Sequence, residues 1–202
     1  MAKIKVLQNG PYLVSGKLPL NQDIVEYDEF GYPLKTTKGN SFPDQEEYAL
    51  CRCGHSTNKP FCTGTHRSIN FDGTENPAAK QKFADQAETI DGPDLTLKDA
   101  QKFCTGAGFC HRATGVWNLT ENSNNPEAKK IAIQEACSCP SGRLVACDKK
   151  TGQAIEPKLE KSIGISEDGP LCVKGGVPVE SSDGTNYEVR NRVTLCRCGK
   201  SN

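Results

Sequence analysis

Cys51-Arg52-Cys53-Gly54-His55-Ser56-Thr57-Asn58-Lys59-Pro60-Phe61-Cys62-Thr63-Gly64-Thr65-His66 is the stretch on which the reading of this chain turns. Cys51, Cys53, Cys62 and His66 fall within these sixteen residues, with the turn formers Gly54, Pro60 and Gly64 between them. A hydrophobic core needs no such grouping. A metal centre does, because thiolates and an imidazole are the ligands of zinc, copper(I) and iron–sulfur clusters.

The spacing resembles the CDGSH iron–sulfur motif, Cys-x-Cys-x2-Ser/Thr-x3-Pro-x-Cys-Asp-Gly-Ser/Ala/Thr-His. Cys51, Cys53, Ser56, Pro60, Cys62, Gly64, Thr65 and His66 occupy its positions, and Thr63 stands where the family usually has Asp. Either residue can cap a helix N-terminus through a side-chain oxygen, so the swap bears on local charge and redox tuning rather than on ligation. The resemblance implies a [2Fe–2S] cluster held by Cys51, Cys53, Cys62 and His66. The same donors also suit a Cys3His zinc site in a structural interaction module. Against that alternative, Cys-x-Cys is not the usual Cys-x2-4-Cys zinc hook.

Working outward, part of the stretch recurs. Leu50-Cys51-Arg52-Cys53-Gly54 matches Leu195-Cys196-Arg197-Cys198-Gly199, and Gly10, Pro11, Val14, Gly16 and Pro19 match Gly169, Pro170, Val173, Gly175 and Pro178. Two ordered matches point to a duplicated structural unit. In the second copy Ser201 aligns with Ser56 and only Asn202 follows, so Cys196 and Cys198 have no following Cys and His. The natural chain continuing past Asn202, a degenerate site, or ligands from another chain would each account for this. The first is expected, since the sequence stops inside an otherwise intact motif, and with it a second [2Fe–2S] site begun by Cys196 and Cys198. CDGSH domains are small β-rich folds that commonly form two-fold dimers, so the resemblance implies an internal pseudo-dimer or a homodimer.

Tyr187, Val189, Val193 and Leu195 alternate with charged and polar residues, which predicts a strand leading into Cys196. By the repeat, residues 46–50 lead as a strand into Cys51. Phe30-Gly31 and Asp183-Gly184 read as turns. Thr63 is placed to cap a short helix bearing His66. Cys172 aligns with Leu13 on an apolar stretch and reads as a buried structural thiol. His55 is replaced by Lys200 in the second copy and reads as exposed.

Residues 91–168 break the repeat. Thr96-Leu97-Lys98-Asp99 resembles a capping box opening a helix toward Phe103. Asn125-Pro126-Glu127 places a cap and a first-turn proline before a helix over 126–136, with Ala132, Ile133 and Ala136 inward. Five cysteines flank these elements: Cys104, Cys110, Cys137, Cys139 and Cys147. The pattern Cys104-x5-Cys110 followed by Cys139-Pro140-Ser141-Gly142-Arg143-Leu144 is similar to the divergent single-cluster [4Fe–4S] ferredoxin family. That resemblance implies Cys104, Cys110 and Cys139 as ligands, with Cys137 or Cys147 as a fourth. A cluster-free structural module with buried thiols, or a redox-labile Cys pair, is the other reading. His111, next to Cys110, reads as a surface residue or a neighbour of the site.

The resulting expectation is an α+β chain of small β-rich CDGSH units around a helical Cys-rich insert: 1–90, 91–168 and 169–202. Composition agrees, since only 35% of residues are hydrophobic and 6% aromatic, which suits loop-rich units stabilised partly by bound metal. Lys+Arg and Asp+Glu both number 25, with no basic tract, which argues against nucleic acid. No apolar run is long enough to cross a membrane, and Met-Ala-Lys-Ile-Lys-Val lacks the apolar stretch of a signal peptide. With eleven cysteines, an odd number, clustered in Cys-x-Cys pairs, metal ligation in a reducing cytoplasm is the expected use. No nucleotide loop or catalytic triad pattern is present, so a carrier is expected rather than a classical enzyme. A histidine ligand exchanges protons near neutral pH, which links electron to proton uptake and makes the site acid-labile. The expected roles are proton-coupled electron transfer, redox sensing or cluster transfer to a redox or cluster-acceptor protein.

Overall fold

The computed structural model describes residues 2–76 and 80–201. Strand β5 (Glu47–Leu50) runs straight into Cys51, with Tyr48 and Leu50 buried on its inner face. With β1 (Lys3–Val6), β2 (Tyr12–Ser15) and β12 (Val179–Glu180) it forms a four-stranded sheet in the order β12-β1-β2-β5. A second sheet joins β13 (Arg192–Leu195), β11 (Leu171–Lys174), β10 (Ser162–Ser166), β3 (Leu20–Tyr27) and β4 (Pro33–Ser41), in that order.

The duplication shows in the register. β1 lies parallel to β12 with Ile4 opposite Val179, and β10 lies parallel to β3 with Ile163 opposite Leu20. The repeat that aligns Gly10 with Gly169 also aligns Ile4 with Ile163 and Leu20 with Val179. The two pairings are therefore one contact made twice, each copy lending a strand to the sheet of the other. Parallel neighbours need a long connection, and here the partner strand comes from the distant copy. Ile4, Val14, Leu50, Ile163, Leu171 and Val173, drawn from both sheets, share one buried cluster.

The chain divides into two compact units. The first holds residues 1–23, 38–81 and 160–202, and so both copies of the repeat. The second holds 24–37, the far end of the β3–β4 hairpin, and 82–159. In the second unit β6 (Glu88–Asp91), β7 (Leu95–Asp99), β8 (Leu144–Asp148) and β9 (Ala154–Ile155) make an antiparallel sheet in chain order. After the short helices α1 (Thr65–Ser68) and α2 (Phe83–Gln86), helices α3 (Val116–Glu121) and α4 (Pro126–Ser138) bury Val116, Leu119, Ala132 and Ala136 in one cluster with Leu95, Leu97 and Leu144. The architecture is α+β as expected, and the insert carries this sheet in addition to its helices.

Two local expectations differ. Thr96–Asp99 is not a helix start but lies in β7. Leu95 and Leu97 are buried while Thr96 and Lys98 face outward, and pairing on both sides, to β6 and to β8, outweighs a four-residue capping pattern. The strand predicted over 187–195 is confined to 192–195. Its partner β11 ends at Lys174 opposite Arg192, and Gly175 and Gly176 turn the chain away with positive φ. Val189, outside the paired strand, is exposed, and Arg192, inside it, is buried, the reverse of the simple alternation. The helix over 126–136 is present as α4, with the Asn125 side chain accepting from the Glu127 and Ala128 amides. Turns stand at Gly31 and Gly184 as expected. Among the described residues no helix is long and apolar enough to cross a membrane.

Candidate metal centres

Past β5 the chain loops out and returns against its own strand. The Cys51 amide donates to the Pro60 carbonyl at 2.8 Å, and the Cys62 amide donates to the Ala49 carbonyl at 2.8 Å. Phe61 anchors this return, its ring edge-on to Phe42 at 5.6 Å and to Tyr48 at 6.3 Å. Buried Ser56 braces the loop, donating to the Phe61 carbonyl at 2.5 Å and accepting from the Asn58 amide at 3.1 Å. The return brings Cys62 to the end of the strand that delivers Cys51.

The four donors stand in two pairs. Cys51 Sγ and Cys53 Sγ are 3.8 Å apart, and Cys62 Sγ is 3.4 Å from His66 Nδ1. The Gly64 amide points at Cys62 Sγ from 3.4 Å. Burial, with the Cys51 and Cys62 thiols close by, pushes the Cys53 thiol up, so it would bind a metal only on losing that proton. His66 sits on α1 (Thr65–Ser68), but Thr63 does not cap that helix. Gly64, at φ 83°, takes the cap position, and the Thr63 hydroxyl instead contacts Ser56 Oγ at 3.2 Å and Thr65 Oγ1 at 3.0 Å. His55 is exposed, as expected.

In the second copy Cys196 Sγ and Cys198 Sγ lie 3.4 Å apart. Burial would raise the Cys196 thiol, yet it is held below its ordinary value. The amides of Cys198, Lys200 and Ser201 and the Cys198 side chain outweigh burial. Successive backbone N–H groups around one sulfur make an anion cradle of the kind found at iron–sulfur sites. Cys172 is buried on β11, its Sγ 3.4 Å from Ser166 Oγ, and burial pushes it up to about 11.

The two cysteine loops meet back to back. A Cβ on Gly54 would fall 2.7 Å from the Cys198 carbonyl oxygen, and one on Gly199 would fall 2.8 Å from that of Cys53. Tyr12 donates to the Cys196 carbonyl at 2.8 Å. The arginine of each Cys-Arg-Cys ties its loop to the turn after the first strand of its own copy. Arg52 donates to the carbonyls of Leu7 (3.3 Å) and Gly73 (2.7 Å), with the Tyr12 and Phe71 rings each 5.7 Å away. Arg197 donates to those of Ser166 and Gly169, both at 2.6 Å. Leu7 and Ser166 are equivalent in the repeat. The reading of the sequence missed these roles, although the identical Arg and Gly in both copies were their signal.

In the second unit Cys104, Cys110 and Cys139 line one pocket together with Pro140, Arg143 and Leu144. Burial foremost, then Cys139, pushes the Cys110 thiol up to about 11. Cys137 and Cys147 are elsewhere. Cys137 Sγ donates to the Ile155 carbonyl at 3.3 Å. Cys147 pairs with Thr96 on β8, on the face opposite the buried Leu144 and Ala146. His111 is exposed, its ring centre 5.5 Å from that of Trp117.

Asp99 and Arg143 form the rim of this pocket's support. Arg143 Nε and Nη2 donate to the two Asp99 oxygens at 2.6 and 2.7 Å, Trp117 Nε1 donates to Asp99 at 2.9 Å, and the guanidinium lies 5.6 Å from the Trp117 ring centre. Burial would raise the Asp99 carboxyl, but the bonds from Arg143 and Trp117 hold it below the usual 3.8. A depressed carboxylate contributes stability above its unfolded pKa and loses it as pH falls through the folded value. Asp99→Asn is therefore expected to destabilise the second unit by about 3 kcal/mol at neutral pH. The difference from the parent chain, followed by thermal unfolding, should close as pH drops below the ordinary carboxylate range. A difference independent of pH would refute the ion-pair account.

Comparison with protein families matches residues 9–67 and 168–202 to "Iron-binding zinc finger CDGSH type". Residues 90–149 match "Divergent 4Fe-4S mono-cluster". No curated protein and no solved structure gives a significant match. The two matched CDGSH segments lie within the two copies that exchange strands in the first unit, and the matched mono-cluster segment contains the three-cysteine pocket of the second. The chain is an iron–sulfur protein in which two CDGSH-type segments flank a divergent 4Fe-4S segment.

Proposed function

We propose that Cys51, Cys53, Cys62 and His66 hold a [2Fe–2S] cluster and that the chain serves proton-coupled electron transfer, redox sensing or cluster transfer. The observation that carries this is the division of the donors into a Cys–Cys and a Cys–His pair, which is what two irons with two protein ligands each require. When bound, such a cluster supplies one-electron redox chemistry.

The residues of the chain supply the rest. Nδ1 is the His66 nitrogen on the Cys62 side, which leaves Nε2 to exchange a proton. Arg52 and the Phe61 anchor hold the two halves of the loop in place, so the ligands are set before metal arrives. Cys104, Cys110 and Cys139 fit a [4Fe–4S] cluster in the insert as a second redox group. The reciprocal strand exchange supports an internal pseudo-dimer, in which Cys196 and Cys198 begin a second [2Fe–2S] site. A cytoplasmic redox or cluster-acceptor protein is the partner such a carrier needs.

Iron, sulfide and zinc per chain, with the visible spectrum, test this on protein purified without air. About two irons and two sulfides belong to the first site and about four of each to the insert. Cys62→Ser should remove the first site's share and leave the insert's. Zinc without sulfide, or full iron in Cys62→Ser, would overturn the assignment.

A further inference from the structure

The pocket of the second unit holds three cysteines, whereas all-cysteine ligation of a [4Fe–4S] cluster takes four thiolates. Both other cysteines of that unit are committed elsewhere: Cys137 to the Ile155 carbonyl and Cys147 to the far face of the sheet. Among the described residues no Asp, Glu or His lines the pocket. Its one charged lining residue is Arg143, which Asp99 clamps through two hydrogen bonds, while Cys104 at the rim is exposed to solvent. Held in this way, the guanidinium is fixed in the wall of the pocket that the three thiols line.

Resting on the reading that the insert carries a [4Fe–4S] cluster, we propose that Cys104, Cys110 and Cys139 are its complete set of protein ligands. The fourth iron then takes a non-protein ligand, water or hydroxide at rest, exchangeable for a small anion beside Arg143. This makes the insert a small-anion binding centre as well as an electron carrier. An exchangeable iron is also the iron lost first on mild oxidation. One electron passes to the oxidant, one ferrous ion leaves with its non-protein ligand, and a [3Fe–4S] cluster remains on the three cysteines.

The test uses the full-length chain, reconstituted without air, carrying Cys62→Ser to silence the first site. Ferricyanide is the one-electron oxidant and cyanide the anion probe. The expected results are release of about one iron in four with the EPR signal of a three-iron cluster, and a cyanide-induced change in the EPR of the reduced cluster that weakens in Arg143→Gln. Cys137→Ser and Cys147→Ser should keep full iron and sulfide and the same spectra. Loss of the cluster in either of these variants while its fold is kept, or a reduced signal indifferent to cyanide, overturns the three-cysteine assignment. The oxidation and cyanide measurements need neither variant, so a misfolded serine substitution leaves the test intact. Absence of any sulfide in the Cys62→Ser chain would instead overturn the reading that the insert binds a cluster at all.

Discussion

The His66→Cys chain is expected to keep its iron and sulfide while losing the acid sensitivity of the first site. A neutral imidazole competes poorly with protons once pH falls below neutrality, whereas a metal-bound thiolate holds its place further into acid. The pH at which half the visible absorption is lost should fall by roughly one unit. The added thiolate brings a negative charge to the centre, so its potential should drop by on the order of 100 mV, in the sense that separates His-ligated from all-Cys two-iron centres. Acid titration and potentiometry on the same preparation read both quantities. If neither moves, His66 is not a ligand, whatever its distance from Cys62.

Gly199→Ala carries the second large effect, and its origin is the meeting of the two cysteine loops. At φ 72° an L side chain is strained by about 1–2 kcal/mol. The new Cβ would stand 2.8 Å from the Cys53 carbonyl, a backbone atom that cannot rotate away, and overpacking of this kind costs about 1–3 kcal/mol more. The expected outcome is a clear fall in the melting temperature of the first unit and faster iron loss from the site on Cys51 and Cys53. Gly184→Ala is the matched control, since Gly184 has φ 85° with nothing within 4 Å of its Cβ position. It should show the conformational cost alone. Equal effects of the two substitutions would mean that the loops do not meet as described.

The cysteine-rich stretch could be read without coordinates because its constraints are local. Turn formers between closely spaced donors require a loop, and that loop closes through short-range bonds such as Cys51 to Pro60 and Cys62 to Ala49. The α4 start was equally legible, since Asn125 and Pro126 act within one turn. Reading failed where the deciding partner was remote. Thr96–Asp99 has the letters of a helix cap, but β6 and β8 on either side make it a strand. Thr63 has the side chain of a helix cap, but Gly64 takes that position and the Thr63 hydroxyl finds Ser56 across the loop.

The sequence by itself determined where the candidate donors group, the duplication and the family likeness of the cysteine-rich insert, because residue type and spacing along the chain carry that information directly. Only the tertiary structure decided that each copy lends a strand to the other, that Gly54 and Gly199 let the two Cys-x-Cys loops touch, and that Cys137 and Cys147 stand apart from the pocket of Cys104, Cys110 and Cys139. These depend on which strands pair and which face of a strand a residue occupies. A shift of one residue in register would reverse each such face, and nothing within a short window of sequence sets that register.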